Sequence, residues 1–393
     1  MPEIIAAGHL CVDIIPRIPP GAASGAGWLA PGRLTEVGEA VLTTGGSASN
    51  TGLALHKLGV DVRLVARLGD DLLGHLIGQI IAGFDPHLAE SFVIAQGEAS
   101  SYTIVISPPG VDRCFLHCPG TNHTFGPEDV SEELLARTQM LHFGYPPLMR
   151  RMYERGGRAL AELFRRAKER GATTSLDLVM PDPAQPGGQA DWRAILARTL
   201  PHVDIFAPSL EELLYMLDRP RFDALEREAA GASLLDLASP ELVSDLAADA
   251  LALGAQMVMI KLGHRGLYLR SGAMGRALGR GAPADVARWR ERELWAPALR
   301  VAVVGTVGAG DATIAGFLTA ILRGQGPEEA AISAAAVGAC NVEAADATSG
   351  VRSWQETQAR LAAPWERLDA GIASGGWRPD AGRGLWRGPR DRG

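Results

Sequence analysis

Two periodicities alternate along the chain. Val62, Leu64, Ala66 and Leu68 are apolar at every second position, the pattern of a half-covered strand, and Gly69 ends the run. Directly afterwards Leu72, Leu73, Leu76, Ile77, Ile80 and Ile81 fall on one helical face, with Asp70 or Asp71 placed to cap it. A helix is predicted over 47–57, stopping at Gly59, and an apolar strand run over 3–15, interrupted by Gly8 and Asp13. Further strands are predicted at 140–143, 174–179, 203–206, 257–261, 266–269 and 301–304, with helical runs such as 158–170 and 211–217 between most of them. Strand-then-helix alternation implies an α/β fold: a mostly parallel sheet with helices on both faces.

Some stretches break the rhythm. Residues 16–31 are rich in Pro, Gly and Ala and read as an excursion from the core. Residues 102–107 and 114–117 form two short strands about a turn at Pro108-Pro109-Gly110. These pieces, about 14–44 and 98–122, are assigned to a small β lid. Residues 219–244 are polar, acidic and helix-like, and 271–293 are rich in Arg, Gly and Ala. A Gly/Arg/Trp-rich stretch at 371–393 reads as a disordered or loosely docked tail, leaving 1–370 as one domain.

Composition narrows the function. The 393 residues, 47% apolar and 21% charged, can bury a large core. A net charge of −7 supplies no basic field for nucleic acid or acidic membrane, so neither is expected as a partner. The start Met1-Pro2-Glu3-Ile4-Ile5 lacks the basic opening of a signal peptide, and no apolar run reaches the ~18–20 residues of a membrane span. A cytoplasmic location is therefore expected. Cys114 and Cys118 are four apart, but no second close pair or His/Cys cluster completes a zinc site. All four cysteines are expected as buried or half-buried free thiols.

The chemistry concentrates in Val304-Gly305-Thr306-Val307-Gly308-Ala309-Gly310-Asp311-Ala312. A strand entering a Gly-rich turn that opens a helix aims the amides of Gly308, Ala309 and Gly310 into one space, an anion hole for phosphate oxygens. Asp311, at the same spot, can take the proton of an attacking hydroxyl. Neither a Walker loop nor a dinucleotide fingerprint is present.

This string resembles the C-terminal signature of the PfkB/ribokinase carbohydrate and nucleoside kinases, Asp-Thr-x-Gly-Ala-Gly-Asp. Three more segments match in order: Gly45-Gly46-Ser47-Ala48-Ser49-Asn50 with Gly69-Asp70-Asp71-x-x-Gly74, Gly8-x-x-x-x-Asp13, and Lys261-Leu262-Gly263-His264-Arg265-Gly266. The resemblance spans about residues 3–360. It implies a ribokinase-like three-layer αβα sandwich with the β lid, ATP and Mg2+ as cofactors, and a sugar or nucleoside acceptor held by Asp13, Gly45, Gly46 and Asn50. It sets Lys261, Gly263, Gly266 and Ser209 near the nucleotide and Glu212 near the metal. Tyr145 is placed at the acceptor, Pro119-Gly120-Thr121-Asn122 stands for the family's Gly-Ala-Asn, and His9 and His142 are read as core or rim histidines. Two departures stand out. Ser209 replaces the Asn of the family's Asn-x-x-Glu, and Gly305 replaces an Asp that helps bind a monovalent cation in several members, which weakens the expectation of potassium activation.

The expected activity is ATP-dependent phosphorylation of an alcohol group. A nucleoside acceptor would need an apolar or aromatic slot, and at 6% aromatic residues candidates are few. A catalytically silent binding protein on this fold is the alternative from another class. Lids of this kind also offer a surface through which two chains could form a homodimer.

Overall fold

The computed structural model describes residues 2–19, 31–32, 34–108, 114–372 and 375–393. Its main sheet has ten strands, in the spatial order Arg378–Asp380, Leu385–Arg387, Glu293–Ala296, Leu267–Ser271, Met257–Lys261, Ile205–Phe206, Thr173–Leu176, Met140–Gly144, Ile4–Gly8 and Val62–Val65. From Val62–Val65 to Met257–Lys261 neighbouring strands are parallel, and beyond Met257–Lys261 they are antiparallel.

Strand alternation divides the core between two faces. Ile5, Ala7, Leu141 and Phe143 pack on one side with the helices Arg150–Glu169, Trp192–Thr199, Leu210–Leu217 and Pro240–Ala252. Ile4, Ala6, Met140, Met257 and Met259 pack on the other with Ser47–Lys57, Ala309–Leu322 and Pro327–Asn341. The result is the expected αβα sandwich. A four-stranded sheet, in the order Ala40–Gly45, Cys11–Pro16, Tyr102–Ile106, Cys114–Cys118, lies beside it. These are the elements assigned to the lid; the turn residues Pro109 and Gly110 and most of the 16–31 excursion lie outside the described residues.

Several expectations give way. The apolar run at 3–15 is two strands, Ile4–Gly8 and Cys11–Pro16, which join different sheets. Gly8, at φ 129°, makes the corner; a side chain there would meet the Gly144 carbonyl at 2.4 Å. No strand forms at 301–304. Val303 and Val304 are exposed, and the segment is held by the Val304 N–H donating to the Val342 carbonyl at 2.8 Å. Val301 and Val303 line a cleft, and Val301 also packs against the small cluster of Leu299, Ala336 and Ala339. Among the cysteines, Cys11 and Cys340 are buried and Cys118 half-buried as expected, but Cys114 is exposed on the outer lid strand.

The segment read as a loose C-terminal tail adds two strands to the main sheet. Composition suggested solvation, but its charges find partners distant in sequence. Arg292 is buried between Glu328 (2.6 Å) and Asp391 (2.7 Å), and Arg387 bridges the same two carboxylates at 2.9 Å each. Breaking a buried ion pair from one side costs about 3–5 kcal/mol. Removal of residues 376–393 is therefore expected to lower unfolding free energy by at least about 3 kcal/mol, measured by urea denaturation. An unchanged midpoint would return the segment to tail status.

The Arg-rich insertion has a structural task. Arg280 donates to the carbonyls of Leu135 and Thr138 (both 2.8 Å), and Arg276 to that of Val203 (2.9 Å). It thus ties down the N-terminal ends of the parallel strands, away from the opposite ends where the site lies.

Candidate active site

At the C-terminal ends of the parallel strands the chain brings most of the singled-out residues together, the usual location for ligands on such sheets. The helix Ala309–Leu322 starts after Gly308, whose φ of 70° is left-handed; a Cβ there would meet the Ala347 carbonyl at 2.4 Å. First-turn amides have no carbonyl four residues back to bond, so those of Gly310 and Asp311 face outward. The Asp311 side chain is buried, and three groups converge on it. Asn50 Nδ2 donates to Oδ2 at 3.1 Å, Tyr145 OH to Oδ2 at 2.9 Å, and Thr51 Oγ1 to Oδ1 at 3.0 Å. Burial pushes the Asp311 carboxyl above its ordinary value; the Lys261 ammonium and the three hydrogen bonds oppose this without cancelling it.

Asn50 and Thr51 sit in the helix Ser47–Lys57, which begins at Gly46. Gly46 has φ 95°, and a Cβ there would meet the His9 carbonyl at 2.4 Å; a Cβ on Gly45 would meet Asp13 Oδ2 at 2.4 Å. The two glycines thus let this helix start close against Asp13 and His9. Burial also raises the Asp13 carboxyl, against hydrogen bonds from Cys11 and Thr103. Asn50 Oδ1 is buried without a partner among the described residues, an acceptor available to a substrate hydroxyl. Asn122 clamps the lid base to the core, accepting from the Leu10 N–H at 3.2 Å and donating to the Leu10 carbonyl at 3.0 Å. The Gly69–Gly74 stretch serves the same junction: Asp71 caps its helix by accepting from Gly74 N–H and also holds Ser100 N–H, each at 2.8 Å.

Lys261 ends its strand beside this cluster. Its Nζ is 2.5 Å from Asp177 Oδ1; the Asp177 side chain is buried and that of Lys261 is half-buried. Burial works against the ammonium, but Asp177, Glu212 and Asp311 outweigh it and hold Lys261 above the ordinary lysine value. A Cβ on Gly310 would lie 3.6 Å from Nζ, in ordinary contact, so the lysine runs directly beside the Gly-rich turn. Ser209 and Glu212 form a capping box: Glu212 Oε2 accepts from Ser209 N–H at 2.7 Å, and Ser209 Oγ from Glu212 N–H at 3.3 Å. Both therefore also perform a structural task.

Next to the turn lies a cleft of about 490 Å3 lined by Lys261, Gly263, Gly266, Val301, Val303, Ala309 and Gly310 among others. Gly266, at φ 93°, closes against the Ala296 carbonyl, where a Cβ would sit at 2.0 Å. The cleft is mostly apolar away from the helix start, a shape and polarity suited to a nucleotide base with its phosphates at the amides.

A family model described as pfkB family carbohydrate kinase matches residues 3–354. The chain belongs to this family. As a pfkB kinase it is a phosphotransferase. An uncharacterized sugar kinase from Archaeoglobus fulgidus is 24% identical over 282 residues, 70% of this chain and 89% of that protein. An ATP-dependent ribose-1-phosphate kinase from Halopiger xanaduensis is 25% identical over 224 residues, 56% of this kinase and 65% of the relative's length. Among solved structures, Arabidopsis thaliana ribokinase complexed with ribose and ATP superimposes with a TM-score of 0.66 at 20% identity, covering 91% of this chain and 98% of the other. That likeness is one of fold.

Sequence reasoning missed Thr51 and Asp177. Thr51 looks like any helix-start polar residue. Asp177 left a faint signal as a lone carboxylate ending the apolar run Ser175-Leu176-Asp177-Leu178. Tyr145 was placed at the acceptor but not against Asp311. Its φ of 64° is rare for a residue with a side chain and turns the phenol onto the carboxylate.

Proposed function

We propose that this kinase transfers the γ-phosphoryl group of ATP to a hydroxyl of a sugar or sugar phosphate, with Asp311 as base. The observation that carries the proposal is the convergence of three donors on one buried carboxylate at a helix start whose amides face the same space. Asp13, Asn50 and the Gly45-Gly46 backbone hold the acceptor, and Tyr145 aims the Asp311 oxygens. Asp311 takes the hydroxyl proton as that oxygen attacks in line. The outward amides of Gly310 and Asp311, with Lys261, stabilise the charge on the transferring group, while the Ala309 N–H, expected to share in this, donates to the Thr306 carbonyl at 3.3 Å. Gly263 and Gly266 line the base end of the cleft.

The residues present fit a hard cation. Asp177 Oδ2 is buried without a partner among the described residues, and Glu212 lies close enough to act on the charges of Asp177 and Lys261. Mg2+ held through these carboxylates would supply charge neutralisation at the phosphates. Ser209 contributes through its cap, which orients Glu212.

The test is ADP formation with ATP and Mg2+ against sugars, sugar phosphates and nucleosides. Turnover that depends on a sugar-class acceptor is expected. Turnover with nucleosides alone would shift the acceptor class, and tight binding of ligands without any turnover would leave a silent binding protein. The raised Asp311 also sets a pH expectation. Activity needs its ionised form, so kcat/KM falls as pH drops through its folded pKa, above the ~3.9 of a free aspartate. An acid limb at or below about 4 would remove Asp311 from the role. Val41, Leu42, Phe115 and Leu116, exposed on the lid, support the pairing of two lids, to be checked by analytical ultracentrifugation.

A further inference from the structure

The strand-to-lid corner carries a second constellation that phosphoryl transfer does not use. His9, between the strands Ile4–Gly8 and Cys11–Pro16, meets His117 of the outer lid strand, 108 residues away, with the two Nε2 atoms 3.3 Å apart. Cys11 completes the group: one ligand atom from each of the three residues lies within 4.8 Å of the others. The sequence showed no His/Cys cluster because these residues meet only when the lid hairpin packs beside the first two strands.

We propose that His9, Cys11 and His117 form a binding site for a zinc-class metal ion, with the ion fixing the lid strand to the core. The geometry of the imidazole pair carries the case. Tetrahedral Zn2+ with Zn–N of about 2.0–2.1 Å holds two nitrogen ligands about 3.3–3.4 Å apart, the spacing the two Nε2 atoms already have. His117 Nδ1 lies 3.0 Å from Thr103 Oγ1, so an Nδ1–H donated there leaves the Nε2 lone pair free for an ion, the orienting contact typical of metal-bound histidine. Burial, then the neighbouring His117 and His123, lowers the His9 pKa to about 3, and burial also lowers that of His117. Both shifts favour the neutral ring, the form in which imidazole binds a metal.

Cys11 supplies a soft ligand. Burial, then Asp13, holds its thiol protonated well above the ordinary value, so binding displaces that proton and places thiolate against dication. Cys11 Sγ also lies 3.3 Å from Asp13 Oδ1, which adds negative charge beside the site. Two imidazoles and a thiolate suit Zn2+ and exclude Mg2+, so this site is chemically separate from the Asp177–Glu212 carboxylates. A fourth tetrahedral position remains for water or an acceptor hydroxyl. His117 is on an exposed strand, which gives the ion a way in.

The test is titration of the chelator-stripped full-length protein with Co2+, followed by displacement with Zn2+. The proposal expects one tightly bound Co2+ with the intense visible bands of a tetrahedral site and a thiolate-to-cobalt charge-transfer band, all removed by one equivalent of Zn2+. Cys11→Ser should lose the charge-transfer band. His117→Ala, on the exposed lid strand and so not dependent on core repacking, should weaken Co2+ binding at least about 100-fold. Cys114→Ser and Cys118→Ser should change neither. A wild-type spectrum with only weak octahedral bands would overturn the proposal, as would Cys11→Ser and His117→Ala variants that bind Co2+ like wild type.

Discussion

Asp311→Asn is expected to lower kcat by about 10²–10⁴-fold while KM for ATP and the melting temperature change little. Asn is nearly isosteric and can keep the local hydrogen bonds. With its amide oxygen at the Oδ2 position it still accepts from Asn50 and Tyr145, and its NH2 at the Oδ1 position can donate to Thr51. What it cannot do is take a proton. Steady-state kinetics with the preferred acceptor, alongside a thermal melt, separate the two effects. A variant that keeps wild-type kcat would exclude Asp311 as base, and one that does not fold would show the carboxylate to be structural.

Lys261→Met should produce the largest stability loss. It leaves Asp177 buried without its 2.5 Å partner, near Asp311 and Glu212. Removing one member of such a pair costs about 3–5 kcal/mol. Asp177 can avoid part of that cost by taking up a proton, which fixes the sign of the pH dependence. A carboxyl whose folded pKa lies above its unfolded one binds more protons when folded, so stability falls as pH rises between the two values. The variant should therefore lose more stability at pH 8 than at pH 5 in urea denaturation. The double variant Lys261→Met with Asp177→Leu should recover most of the loss, because an apolar pair can replace a buried ion pair. Equal losses in the double and single variants would mean that the lysine acts through packing alone.

Where the periodicity was strong, the elements formed as read. Met257–Lys261 has the expected bounds, Ser47–Lys57 is a helix, and Asp71 is the cap. The Gly-Ala-Gly-Asp turn sits at a helix start, because a left-handed Gly308 and free first-turn amides are local properties of that string. The errors share a cause. Val301, Val303 and Val304 look like a strand because apolarity alone does not separate a core from a cleft wall. Residues 376–393 look solvated because two pairings that anchor them, Asp391 with Arg292 and Arg387 with Glu328, span 99 and 59 positions.

By itself the sequence determined the α/β class, the four motifs and the Gly-rich turn with its aspartate at a helix start. Each depends on contacts within a few residues, such as side-chain periodicity, a cap or a positive φ. Only the tertiary structure decided which partners those residues take. Asn50, Thr51 and Tyr145 reach Asp311 across 166 to 261 positions, Asp177 reaches Lys261 across 84, and His9 reaches His117 across 108. Long-range pairing follows from strand order and from the lid folding beside the sheet. Strand order is settled by burying two core faces at once, and no local pattern encodes that.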